Sequence, residues 1–103
     1  MVRTVAERLL ERLGYVVHAA GSGDEALEVV DRLVVVDLLL TDVRMPRISG
    51  PDLAGRVAGR RPALRVLYMS GFVDEERLDG PFVQKPFTPA ALAFAVRAAL
   101  DAA

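Results

Sequence analysis

The order of apolar runs and amphipathic stretches predicts an α/β fold, a doubly wound parallel sheet with helices on both faces. Three observations carry that expectation. The run Leu38-Leu39-Leu40-Thr41-Asp42 stops on an acid, the pattern of a strand buried on both faces. Stretches with helical spacing lie before and after it. Short connections marked by Gly and Pro join the pieces, without an internal repeat, a linker or a low-complexity segment.

Residues 1–13 read as an amphipathic helix. Val2, Val5, Ala6, Leu9, Leu10 and Leu13 recur on one face, and Arg3, Glu7, Arg8, Glu11 and Arg12 take the other. Gly14 follows as its C-terminal stop. Tyr15-Val16-Val17-His18-Ala19 is β-branched and aromatic, which predicts a strand. Ser22 is placed to cap a second helix opening with Asp24 and Glu25, acids favoured at a positive helix end. Ala26, Leu27, Val30 and Leu33 mark its inner face.

Residues 38–42 form the next strand, central in the sheet. Pro51 suits the first turn of a third helix, which Leu53, Ala54, Val57 and Ala58 anchor. Arg60-Arg61-Pro62 ends it, the two charges expected in solvent. Residues 64–69 are a strand running to Ser70-Gly71. Asp74 to Leu78 have room for one or two helical turns. Phe82-Val83-Gln84-Lys85 is a short last strand ended by Pro86. Thr88 caps and Pro89 opens a final helix, with Leu92, Val96, Ala99 and Leu100 inward.

At 103 residues the chain is one domain, 1–103. With no cysteine it has neither disulfides nor thiolate chemistry, and with His18 as its only histidine it has no multi-histidine metal site. The net charge of −1 gives no reason to expect nucleic acid or a membrane surface as a partner. No apolar stretch approaches a membrane span, and charged residues at the N-terminus replace a signal-peptide pattern, so a cytoplasmic protein is expected. Of the 13 basic residues only Lys85 is a lysine, which hints that its amine is needed.

In a parallel sheet, strand carboxyl ends share one edge, where chemistry collects. Asp42, Ser70 and Lys85 would meet there. An acid, a hydroxyl and an ammonium suit phosphoryl chemistry: the carboxylate can attack phosphorus, and the other two can hold its oxygens. The same residues also suit a plain salt bridge between Asp42 and Lys85 with Ser70 in a turn. Pattern alone leaves both open.

The chain resembles the receiver domains of bacterial two-component response regulators. The resemblance runs through Leu13-Gly14-Tyr15-Val16-Val17 and Ala20-Gly21-Ser22-Gly23-Asp24-Glu25-Ala26-Leu27. It continues through Leu39-Leu40-Thr41-Asp42-Val43-Arg44-Met45-Pro46-Arg47-Ile48-Ser49-Gly50, Tyr68-Met69-Ser70-Gly71-Phe72 and Gln84-Lys85-Pro86-Phe87-Thr88. It implies a flavodoxin-like fold and a phospho-acceptor at Asp42, charged by a histidine kinase or a phosphotransfer protein. It implies that Lys85 pairs with the phosphoryl oxygens, that Ser70 is the hydroxyl that moves toward them, and that Phe82 is the switch aromatic. It further implies Mg²⁺ held by Asp42 and the Arg44 backbone carbonyl, and a cis Lys85–Pro86 bond.

Two features depart from the family pattern. The apolar first strand and its terminal pair of acids are missing, so the domain is expected to lack its first strand and to bind Mg²⁺ weakly. Exposed strand edges then invite self-association. The span from Ser70 to Lys85 leaves only a shortened fourth helix. The expected role is a phosphorelay domain, not an enzyme. The alternative is a non-phosphorylated pseudo-receiver that only binds, or a remnant with a misplaced start. A phosphatase using an aspartyl nucleophile ranks below both, because a further acid near Asp42 is lacking.

Overall fold

A computed structural model describes residues 2–71 and 80–102. Its elements are α1 (Val2–Arg12), α2 (Gly23–Arg32), β1 (Leu38–Asp42), α3 (Gly50–Arg60), β2 (Arg65–Ser70), β3 (Phe82–Gln84) and α4 (Pro89–Asp101). Each helix boundary has a local cause. Gly14, at φ +97°, turns the chain out of α1, and the amides of Gly14 and Tyr15 return to the carbonyls of Glu11 and Leu10. That pairing closes the helix end and needs a residue tolerant of positive φ. Ser22, Ser49 and Thr88 cap α2, α3 and α4, accepting from the amides of Glu25, Asp52 and Ala91 at 3.0–3.1 Å. The Ser49 cap escaped the sequence reading, although a serine two residues before Pro51 carries the signature.

The described strands form one parallel sheet in the order β1-β2-β3. α1 and α4 pack on one face, where Ala6, Leu10, Leu92, Val96 and Ala99 meet Leu67, Met69 and Val83. α2 and α3 cover the other face through Val30, Leu53 and Val57, joined by Ile48 and flanked by Leu39 and Leu64. The doubly wound α/β expectation therefore holds. None of the described helices is long and apolar enough to cross a membrane.

The sheet differs from the sequence reading on one side. Residues 15–19 are not a strand. Tyr15 and Val17 are half-buried and Val16 and His18 exposed, so the stretch alternates as a strand would. Tyr15 and Val17 pack on the same cluster as Leu38 and Leu40, yet no ladder joins the two segments. Strand propensity alone cannot make a strand without a partner edge. Among the described strands β1 pairs only with β2 and is an edge, not the centre. Its leucines are accordingly half-buried, whereas β2 is buried from Leu67 to Ser70.

A second correction concerns Arg61. Expected in solvent, it is half-buried, and its guanidinium donates to the carbonyls of Val30, Leu33 and Val34. It thus satisfies the C-terminal carbonyls of α2 and ties the approach to β1 to the end of α3. The expected helical turns at residues 74–78, and with them the shortened fourth helix, lie outside the described residues.

Removing this fork takes a donor from three carbonyls, two of them partly buried. Arg61→Ala should lower stability to urea by about 1–3 kcal/mol, and Arg61→Lys should restore only part, because an ammonium cannot reproduce the planar fork.

Candidate functional site

The parallel register brings the strand ends to one edge. Asp42 is the last residue of β1 and lies opposite Met69, one residue before Ser70 ends β2. The Val43 amide donates to the Met69 carbonyl at 3.2 Å, which carries the ladder past Asp42. Gln84 pairs with Ser70, and the Lys85 amide donates to the Ser70 carbonyl at 2.8 Å. Each side chain is thus delivered by a strand terminus. The Lys85–Pro86 bond is cis, as the resemblance implied.

Of the three predicted edge residues, the structure joins two directly. The Lys85 ammonium forms an ion pair with Asp42 Oδ1. That oxygen is sealed from solvent and accepts no hydrogen bond from any other described group, so the ammonium is its charge partner. The residues as wholes remain in touch with water: their side chains are 38% and 30% exposed. Ser70 sits on the middle strand between them and is 1% exposed. Phe82, at the start of β3, is 42% exposed. Arg44 lies two residues beyond Asp42, exposed on the loop that follows.

That loop is fixed from both ends. The Gly50 amide donates to the Val43 carbonyl at 2.8 Å. A Cβ at residue 50 would lie 2.1 Å from the Asp42 carbonyl oxygen, so only glycine allows this approach. Ile48 is buried against Gly23 at the start of α2. Arg47 takes positive φ and reaches Asp24 at 3.1 Å. Thr41, buried beside the acid, donates to the Asp42 carbonyl. The sequence reading named none of these supports except through the resemblance. Gly50 was the legible one, a glycine directly after a cap and before a helix-opening proline.

The chemistry available is that of a carboxylate held against a lysine ammonium at a sheet edge. Comparison with known proteins places it. The family profile described as the response regulator receiver domain matches residues 1–97. The chain belongs to this family. It is 34% identical to the sensor kinase CckA of Brucella abortus over 97% of its own length, which is 11% of that protein. It is 33% identical to the transcriptional regulatory protein PdtaR of Mycobacterium tuberculosis over 98% of its length, or 52% of that protein. The chain therefore spans between about a tenth and half of these relatives. Among solved structures, a receiver domain from the hybrid histidine kinase CckA is 37% identical, with a TM-score of 0.83 over 97% of this chain and 90% of that one. A receiver domain protein from Clostridium thermocellum gives a TM-score of 0.86 at 26% identity, over 97% and 86%. The receiver fold and a place in two-component phosphorelay signalling follow from these matches.

Part-exposed ion pairs contribute little to stability, because each side chain keeps part of its surface in water. A double-mutant cycle with Asp42→Asn and Lys85→Met should give a coupling of about 1 kcal/mol or less. Gly50→Ala should cost more, about 2–3 kcal/mol, because a backbone contact must open. Urea unfolding of the four proteins and of the glycine variant checks both. A coupling of about 3 kcal/mol or more would show that the pair is desolvated.

Proposed function

We propose that this receiver domain accepts a phosphoryl group on Asp42 from the phosphohistidine of a histidine kinase or a phosphotransfer protein. One observation carries the reading: the carboxylate that ends β1 is held against the chain's only lysine, in a chain of this family. In the transfer, an Asp42 carboxylate oxygen attacks phosphorus and the phosphorus–nitrogen bond breaks. Its electron pair returns to the donor imidazole, and the product is an acyl phosphate. The ion pair must open as the group arrives, leaving the Lys85 ammonium to meet the phosphoryl oxygens. Ser70 is proposed as the hydroxyl that turns toward them, and Phe82 as the aromatic that reports the change by leaving its half-exposed position. On this reading the domain relays a signal and is not itself an enzyme. Self-association through the open edge of β1 is part of the same proposal.

Receiver domains typically use Mg²⁺ at this site, where the ion neutralises charge on the transferred group. The donor set among the described residues does not fit such an ion. Asp42 supplies one carboxylate, already paired, and Arg44 could add one carbonyl. Among the described residues no group of three or more acids or histidines comes together. No step is therefore assigned to a metal.

Incubation with acetyl phosphate, followed by intact mass, tests the reading. The wild type should gain one phosphoryl group, slowly, and Asp42→Asn none. A folded wild type that gains nothing, while remaining able to bind its kinase, would instead support a receiver that only binds. Lys85→Met should slow the gain by a factor of about 10 or more, as expected when one charge-assisted contact is lost.

A further inference from the structure

A divalent cation needs several hard oxygen donors, and protein carboxylates normally supply more than one of them. Among the described residues, the acids that open α2 are committed elsewhere. Asp24 pairs with Arg47 at 3.1 Å, and Glu25 Oε1 accepts from the Gly21 amide at 2.8 Å. Both serve the first turn of α2. Asp52 lies in the first turn of α3, exposed. Among the described residues Asp42 therefore stands without a second carboxylate, and its sealed oxygen already faces an ammonium. A cation entering at that oxygen would have to displace Lys85, and among the described residues it would find a single charged ligand.

We infer that Lys85 is the counter-ion of Asp42 in place of a divalent cation, and that this chain binds Mg²⁺ no better than an isolated surface carboxylate does. The ammonium supplies one positive charge at the point where a metal would supply two. It is tethered to β2 by the hydrogen bond from the Lys85 amide to the Ser70 carbonyl, so its local concentration is high and independent of the metal concentration. The inference concerns the unmodified carboxylate, so its test is separate from that of phosphorylation.

The test follows backbone amide shifts of residues 40–50 and 84–86 in the folded chain as MgCl₂ is added, beside NaCl at matched ionic strength. A site with a dissociation constant of about 1 mM would be about nine-tenths filled at roughly 10 mM Mg²⁺. The wild type should show no saturation over that range, and no more shift than in matched NaCl. Lys85→Met should respond more strongly to Mg²⁺ than the wild type, because the competing ammonium is gone, and Lys85→Gln should behave alike. A saturable wild-type response with a midpoint at or below about 1 mM, abolished by Asp42→Asn, would overturn the inference. So would lysine variants that respond no more than the wild type, since Lys85 would then not be what occupies the carboxylate.

Discussion

The structure depends on the parallel pairing of β2 with both of its neighbours. Tyr68 and Met69 lie opposite residues of β1 on one side and of β3 on the other. That double register fixes where each strand stops relative to the others. An acid at the end of β1 and a lysine just past the end of β3 are thereby set against one another. It also gives the chain two hydrophobic layers, one on each face of a strand buried from Leu67 onward. A slip of one residue in β1 would turn Leu38 and Leu40 to the opposite layer and remove Asp42 from Lys85.

The site inherits the limits of the sheet. Because β1 is an edge among the described strands, the carboxylate stands at the edge of the sheet and not in its middle. Asp42 and Lys85 keep about a third of their side-chain surface in water, which limits what their pair adds to stability. The loop after Asp42 compensates in geometry for what the edge lacks in burial. Gly50, Ile48 and the Arg47–Asp24 pair hold it against the start of α2 and α3. Precision at the acid is therefore maintained from the helix side, while among the described residues the other side of β1 carries no strand.

Much of this was legible in the residues. The helix limits followed from Gly14, Ser22, Thr88 and Pro89, whose effects are local and need no tertiary information. The ends of β1 and β2 followed from apolar runs broken by polar residues, and so did the meeting of Asp42 with Lys85. What failed was non-local. Residues 15–19 have the composition and the alternation of a strand, but a strand exists only where another edge lies beside it. Arg61 reads as a solvated helix end, because the carbonyls it binds come from a segment about 30 residues away. The distinction between a lone carboxylate and a metal site likewise depends on which acids the fold brings together, and spacing along the chain does not say.

Amide hydrogen exchange on the unmodified protein tests the central claim most directly, namely that the sheet ends at β1 and leaves the acid at its edge. Amides of β2 from Leu67 to Ser70 should be the slowest of any strand, while amides of residues 16–20 should exchange almost as freely as an unfolded chain. Protection of residues 16–20 equal to that of β2 would contradict the account, since that stretch would then be paired, within the chain or with another copy, and Asp42 would lie inside a continuous sheet.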